Sequence, residues 1–280
     1  IEFKGMVLAS LVAVGLSLLF FAFEKAGLTA PNTLDELYAD AEKLSGKDEK
    51  GQQVWGLDEP ALAGWNLLPY IWSNGGFVMD KDYKKASGYL NSKETVEAVQ
   101  KLADLYKKQS FTGFNSGDIP MTDGFGTGRY SMLLEGPWKI AELKGSYPDF
   151  KYGTATMPAG KGGSISVLGG EDIGMFQGGN KEGAWEFMKF MSGEEAQVAM
   201  AACGQIPANK KALENDSVKK ADFAPFLKAI ETAQARPPIA KWTEIDNQMT
   251  TVMTSIIKDG ANAQESLDKL AAEIDKMLQE

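Results

Sequence analysis

The sequence predicts an α/β fold, in which short strands alternate with longer helices along the chain. Apolar runs of strand length stand between segments whose apolar residues recur at helical spacing, and capping residues mark the helix starts. This alternation is typical of a sheet covered by helices. With 280 residues, of which 44% are hydrophobic and 24% are charged, the chain can bury a substantial core.

The first apolar segment, residues 5–23, contains no charge and allows three interpretations. It is long enough to cross a bilayer as a helix. It could be a signal peptide, although Lys4 is the only basic residue before it and no small-residue cleavage site follows. It could also form two buried strands broken near Gly15, because buried strands read as continuous apolar runs. We favour the buried strands.

Two capping boxes mark helix starts. The Thr33 hydroxyl can accept a free backbone N–H while Glu36 reaches back to the cap, and Ser192 and Glu195 have the same spacing. Asparagine and serine residues mark further starts. The predicted helices cover residues 33–44, 91 or 92 to 108, a segment beginning at 180, 192–204, 243–258 and 262–278.

Between these helices, apolar and β-branched residues predict strands. The predicted strands cover residues 130–134, 152–157, 166–170 and 173–176. The glycine-rich stretch 158–163 predicts a linker or the approach to a hinge.

The composition excludes several classes of function. A net charge of −9 argues against a nucleic-acid partner, which needs a basic face. The chain has no histidine and one cysteine, Cys203, so it can build neither a Cys/His zinc site, nor a Ser-His-Asp triad, nor an internal disulfide. We expect no metal and no cofactor, and we expect Cys203 to be packed in an apolar helix.

Several segments, in order, resemble the carbohydrate-specific extracellular solute-binding proteins of bacterial ABC importers, the family that includes maltose-binding protein. The similarity spans residue 23 to the C-terminal part of the chain, and its strength lies in the order of individually weak motifs. The segments are FEKAGL (23–28), PNTLDEL (31–37), YIWSNGG (70–76), GRYSMLLEGPW (128–138), MPAG (157–160) with GG (169–170), AWEFMKF (184–190) and GQIPA (204–208).

The resemblance implies a type II periplasmic-binding-protein fold that is mostly the second lobe, with crossing segments of the first. Residues 1–163 would form the second lobe with its hinge-entry strand, residues 164–212 the return crossing and helices of the first lobe, and residues 213–280 C-terminal helices packed on the second lobe. In the family a complete first lobe precedes the region matching residues 1–5, so we expect a truncated first lobe.

The resemblance also implies what the protein does. It would bind a sugar or oligosaccharide between its lobes and deliver it to the membrane permease of an ABC transporter. It would be a monomer without enzymatic activity, located in the periplasm or outside the cell, with a lipoprotein anchor as one form of attachment.

Sugar recognition needs flat apolar surfaces for C–H faces and polar groups for hydroxyls. Trp138 follows a Gly-Pro turn where the family places a stacking aromatic, and we expect the turn to present its ring on a loop. Trp65 and Trp242 are further candidates for stacking. Glu59 and Glu171 are candidates for binding hydroxyls, although a solvated carboxylate in a turn is an equal interpretation of Glu59.

Alternatives remain open at this stage. We expect Trp72 and Trp185 to be core residues, because both lie on apolar helix faces. A glycoside hydrolase would use paired carboxylates, such as Glu59 with Glu171, across the scissile bond. A receptor fragment with little binding is another alternative, and we expect the glycine-rich segment 124–128 to be a turn.

Overall fold

The computed structural model describes residues 3–62, 64–113, 119–220 and 222–279 of the chain. Its strands and helices alternate, as the sequence predicts. The strands are β1 Phe3–Ala13, β2 Gly15–Leu19, β3 Gly46–Lys47, β4 Gln53–Val54, β5 Leu57–Asp58, β6 Phe111–Thr112, β7 Met132–Glu135, β8 Tyr152–Ala155, β9 Val167–Phe176 and β10 Gln234–Ala235.

The helices of the described residues cover both short connections and long packing elements. They are α1 Phe20–Ala26, α2 Leu34–Lys43, α3 Gly64–Ser73, α4 Lys93–Lys107, α5 Met121–Gly126, α6 Trp138–Ser146, α7 Lys181–Met191, α8 Glu194–Ala202, α9 Lys210–Leu213, α10 Ala224–Ala229, α11 Trp242–Asp259 and α12 Ala263–Met277. A 3₁₀ turn, Ile230–Thr232, follows α10.

The described strands form two main sheets. The larger sheet has the order β6-β5-β7-β2-β8, in which β5 runs parallel to β6 and β7 while β2 is antiparallel to β7 and β8. The smaller sheet has the order β1-β9-β10, in which β9 is antiparallel to β1 and parallel to β10. Strands β3 and β4 form a separate hairpin.

Two of the places where the described chain crosses between the sheets are bonded to each other. The first crossing is Val14, between β1 in the smaller sheet and β2 in the larger one. The return crossing leads from β8 to β9 and contains Ser166, whose buried hydroxyl accepts from the Val14 N–H at 3.0 Å and donates to its carbonyl at 2.9 Å. These bonds hold the crossings side by side.

The apolar segment 5–23 forms β1, β2 and the start of α1, which is the strand interpretation favoured from sequence. The break falls at Val14, directly before the predicted Gly15, and every residue of β2 is buried. Within the described residues, the structure contains no helix long and apolar enough to span a membrane.

The main core lies where α3, α4, α11 and α12 pack against each other and against the larger sheet. The apolar face of α12 lies in this core, where Leu267, Leu270 and Ile274 are at most 1% exposed. Burying one such side chain contributes about 1.5–3 kcal/mol. Helices α3 and α11 carry candidate site residues in their first turns. Because both helices pack in this core, their positions are fixed.

The capping predictions are confirmed except for one. Thr33 forms its capping box, and Ser92, Asn180 and Asn262 cap their helices as N-caps. The Ser192 box is wrong: Gly193 is the N-cap of α8, and the Ser192 hydroxyl donates to the Lys189 carbonyl at the end of α7. Because α7 and α8 are nearly continuous, that hydroxyl binds the preceding helix.

Other sequence predictions need correction. The predicted strands 166–170 and 173–176 are parts of one strand, β9, which begins at Val167, and the predicted turn at 124–128 overlaps helix α5. Cys203 is exposed at the C-cap of α8. Trp72 is buried as expected, whereas Trp185 is 45% exposed. Apolar residues cover more than half of the α7 circumference, and the protein buries Met188 instead of Trp185.

Candidate ligand-binding site

The site is built around two tryptophan rings from different elements. Trp65 is the second residue of α3, and Trp138 is the first residue of α6, directly after the Gly136-Pro137 turn that ends β7. The ring centroids are 6.3 Å apart, the ring planes differ by 31°, and both side chains are half-buried. Trp138 therefore begins a helix, which corrects the predicted loop position, and the helix fixes its backbone.

Elements of the smaller sheet contact the Trp65 ring. Gly169 on β9 lies against it so closely that an added Cβ would be 2.6 Å from Cζ3 of the ring. The Arg236 guanidinium, after β10, stacks over the same ring with Cζ 5.7 Å from the centroid. Trp65 belongs to α3, which packs against the larger sheet, and its ring contacts residues next to or within the smaller sheet. The ring thus lies where the two sheets meet.

Trp242 joins this group through the start of α3. The Gly64 N–H donates to Asp246 Oδ1 at 2.6 Å, and a Cβ on Gly64 would lie 3.1 Å from Cζ2 of Trp242. The first turn of α11 is therefore fixed against the first turn of α3. The Trp242 indole N–H is buried and has no hydrogen-bond partner in the described part of the protein. Since buried donors are nearly always paired, this N–H indicates a place for an acceptor beside the start of α11.

Glu171 lies on β9, two residues beyond Gly169, and is exposed. Because side chains alternate along a strand, Glu171 points to the same face of β9 as the glycine that contacts Trp65. Asp172 points to the opposite face. The structure therefore brings Glu171, rather than its acidic neighbour, to the side of the tryptophan rings.

Glu59 has a different position from the one that its turn location suggests. Its side chain is fully buried, accepts from Asn66 Nδ2 at 2.5 Å and accepts from the Tyr70 hydroxyl at 3.3 Å. Burial, followed by the charge of nearby Glu135, raises the pKa of Glu59 well above its ordinary value. Through these two hydrogen bonds the Glu59 carboxyl group holds α3, and it does not reach solvent. This position overturns the interpretation of Glu59 as a solvated carboxylate in a turn.

Sequence reasoning missed the residues that position the rings. Arg236, Gly169 and Asp246 are far apart in the chain, and each acts on Trp65 or its neighbour Gly64. The two prolines that follow Arg236 restrict the backbone, but no local pattern indicates that the Arg236 guanidinium covers a ring.

The arrangement can bind a ligand that has apolar faces and polar edges. It offers two half-buried tryptophan rings, an unpartnered indole N–H, a guanidinium and an exposed carboxylate. Within the residues described, no group of three or more acidic, histidine or cysteine side chains could hold a metal ion.

Comparison with known families decides the classification. The sequence profile of the family described as "bacterial extracellular solute-binding protein" matches residues 3–225. The chain belongs to this family. That placement agrees with the family that the ordered motifs indicated.

Relatives of this solute-binding protein are longer than the chain. A putative binding protein of Brucella abortus is 29% identical over 269 residues, which cover 91% of this chain and 63% of the relative. The sn-glycerol-3-phosphate-binding periplasmic protein of Pectobacterium atrosepticum is 29% identical over 194 residues, which cover 62% of this chain and 41% of that protein. The chain thus spans less than two thirds of these relatives.

A solved structure shows the same fold. The GacH receptor of Streptomyces glaucescens, studied unliganded and with acarbose, matches with a TM-score of 0.86 at 22% identity. The match covers all of this chain, 100%, and 73% of the receptor chain. The α/β, periplasmic-binding-protein-like fold predicted from sequence is therefore confirmed.

Proposed function

We propose that this solute-binding protein binds a sugar or oligosaccharide at the Trp65–Trp138 pair and delivers it to the membrane permease of an ABC importer. The observation that carries the proposal is the position of Trp65, which lies in contact with elements of both sheets. A ligand on these rings touches both parts of the protein, so binding favours one relative arrangement of them.

The chemistry of the pair suits a saccharide. Stacked rings bury the C–H faces of a sugar, while the Trp242 N–H, Glu171 and Arg236 can bind hydroxyls at its edge. The similar GacH receptor has been solved with acarbose, which supports the same ligand class. The P. atrosepticum relative is named for sn-glycerol 3-phosphate, so that anion is the control ligand for the proposal.

We assign the two sheets to two lobes. Strands β1 and β9 with α7 and α8 represent the first lobe, and the larger sheet with α11 and α12 represents the second. The crossings joined by Ser166 and Val14 then form the hinge. This assignment keeps the predicted lobe boundaries near residues 163 and 212. It differs from the prediction in moving β1 from the second lobe to the first.

The proposal includes no catalysis. A hydrolase needs two carboxyl groups flanking a bond, whereas Glu59 is buried and bonded to Asn66 and Tyr70. A role for Glu59 in direct contact with ligand stays a prediction. The family description supports a location in the periplasm or outside the cell. Attachment as a lipoprotein and a monomeric state stay predictions.

The test is a titration of the purified protein with maltose, maltotriose, acarbose and sn-glycerol 3-phosphate, followed by tryptophan fluorescence. We expect a saturable change with a saccharide and no release of reducing sugar after prolonged incubation. Trp138→Ala should weaken binding by about tenfold or more. The matched control, Trp185→Ala, removes an exposed tryptophan outside the pair and should leave affinity unchanged.

Three outcomes would contradict the proposal. Reducing-sugar release would indicate an enzyme. Binding of sn-glycerol 3-phosphate and of no saccharide would show that the ligand is an anion and not a sugar. No binding of any saccharide by a sample with a folded circular dichroism spectrum would indicate a fragment that has lost receptor activity.

A further inference from the structure

A cavity of about 400 Å³ lies next to strand β10 and is lined by aromatic side chains. Its walls come from the end of α3, from the segment 77–89 that follows it, and from residues 234–237. The aromatic side chains are Trp72, Phe77, Tyr83 and Tyr89. Small-molecule sites typically have volumes of about 300–1,000 Å³, so the cavity can hold a small ligand.

This cavity is separate from the Trp65–Trp138 pair, although one segment borders both. Arg236 stacks over Trp65, whereas its neighbours Ala235 and Pro237 line the cavity. Neither Arg236 nor either tryptophan of the pair lines the cavity, so the two sites share this segment of chain but no lining residue. A ligand in the cavity therefore has its own contacts.

The aromatic side chains around the cavity are open to an occupant. Phe77, Tyr83 and Tyr89 are 44%, 39% and 37% exposed, respectively. In contrast to the Trp65–Trp138 pair, no two of the four lining rings contact each other in the described structure. They line separate parts of the wall, and a ring left open in this way gains from contact with an apolar face.

The loop that carries Tyr83 is held in place before any ligand arrives. Tyr83 has φ +56°, a left-handed conformation that is unusual for a tyrosine. The Asp80 carboxylate accepts from the backbone N–H groups of Lys84 and Lys85 at 2.7 and 2.9 Å, and the Tyr83 N–H donates to the Asp80 carbonyl at 3.1 Å. A loop whose backbone is already ordered loses little backbone entropy when a ligand binds.

Polar groups with unused hydrogen-bonding capacity also line the cavity. Trp72 is only 4% exposed, and its indole N–H makes no hydrogen bond within the described residues. The fully buried unpaired atoms of the described residues do not include this N–H, so it keeps accessible surface at which a ligand in the cavity can place an acceptor. The side-chain amide of Gln234 lines the same cavity and makes no hydrogen bond either.

We propose that this cavity is a second saccharide site, which takes one sugar ring with its C–H faces against Tyr83 and Tyr89 and a hydroxyl oxygen on the Trp72 N–H. A quaternary ammonium ligand also suits aromatic walls. The charges do not favour it, because the lining carboxylate, Asp80, is engaged by two backbone N–H groups and Lys81 lines the same wall. The site goes beyond the proposed transport function and stands on different residues.

The test uses protein labelled with 5-fluorotryptophan and followed by ¹⁹F NMR. The Trp72 and Trp138 resonances are assigned with Trp72→Phe and Trp138→Phe, and the probes are maltotriose, glucose, galactose and mannose at millimolar concentrations. We expect at least one sugar to shift the Trp72 resonance saturably. In Tyr83→Ala/Tyr89→Ala, the dissociation constant read from that resonance should rise about tenfold or more.

Two controls separate this site from the tryptophan pair. Phe187→Ala removes an exposed ring on α7 that does not line the cavity, and it should leave the Trp72 titration unchanged. Trp138→Ala should abolish binding at the pair and also leave the Trp72 titration unchanged. The Trp138 resonance therefore reports on the proposed transport function, while the Trp72 resonance reports on the second site.

The second site is overturned if no sugar in the panel shifts the Trp72 resonance, whatever the Trp138 resonance does. It is also overturned if the shift keeps its dissociation constant in the double tyrosine variant. A shift produced by choline chloride and by none of the sugars would assign the cavity to cations and reject the saccharide.

Discussion

Gly169 lies directly against the ring of Trp65, with 2.6 Å between an added Cβ and ring atom Cζ3. A separation under 3 Å cannot be accommodated unless the ring or the strand moves. Because Gly169 belongs to the smaller sheet and Trp65 to α3, this contact sets how closely the two parts approach. The absence of a side chain at one position thus determines where a proposed binding ring can lie.

Gly169→Ala tests this contact. The added methyl group should push the Trp65 ring from its position beside Trp138 and lower the affinity for acarbose by about tenfold, measured by calorimetry. Gly153→Ala is the matched control, since Gly153 is also a strand glycine and an added Cβ there meets nothing within 4 Å. Equal affinities for the Gly169 variant and the wild type would show that the ring position is unimportant for binding.

The Asp246 carboxylate should hold the first turn of α3. In Asp246→Ala the Gly64 N–H loses its partner, and we expect the free energy of unfolding to fall by about 1–3 kcal/mol in urea denaturation. Asp246→Asn keeps an acceptor oxygen and should lose less. If alanine and asparagine destabilise equally, the hydrogen bond is not what fixes this turn.

The buried carboxyl groups predict a pH dependence of stability. Burial raises the pKa of Glu135, and burial together with the Glu135 charge raises the pKa of Glu59. A raised folded-state pKa contributes stability that is present below the ordinary value near 4.5 and is lost as the pH rises through the folded-state value. Glu135→Gln should therefore be more stable than the wild type at neutral pH, and the advantage should vanish below pH 4.5.

Glu142→Gln is the control with the opposite sign. Although partial burial opposes the shift, hydrogen bonds from Lys139 and Thr122 lower the pKa of Glu142. The stability that the Glu142 carboxylate contributes is present above its ordinary pKa and is lost as the pH falls through its folded-state pKa. Urea denaturation between pH 4 and 8 should thus show Glu142→Gln losing stability at neutral pH. A Glu135→Gln advantage that does not grow with pH would refute the assignment of a raised pKa.

The exposure of Trp185 predicts that its removal is tolerated. Trp185→Ser should change the free energy of unfolding by less than about 0.5 kcal/mol, as is usual for surface positions. Met188→Ala, one turn away and 1% exposed, should cost about 2–5 kcal/mol. Thermal and urea denaturation of both variants check this. A large loss in Trp185→Ser would restore its predicted place in the core.

Short sequence patterns predicted those helices and strands whose limits depend on residues close together in the chain. The Thr33 capping box and the Asn180 and Asn262 caps could be found from sequence, because a cap bonds the helix that it begins. The apolar run 5–23 could be divided near Gly15 for a related reason, since unbroken apolar runs are typical of buried strands. The prediction of a capping box at Ser192 was wrong because a hydroxyl between two adjacent helices can bond either helix, and this one bonds α7.

By itself, the sequence determined the α/β class and the capped helices, because both depend on residue type and short spacing. The order of motifs along the chain indicated the family and, with it, the tryptophans that are binding candidates. The tertiary structure decided which of those residues meet. It placed Gly169 and Arg236 on Trp65, buried Glu59 under α3 and exposed Trp185. These outcomes depend on contacts between distant segments, whose packing no local pattern encodes.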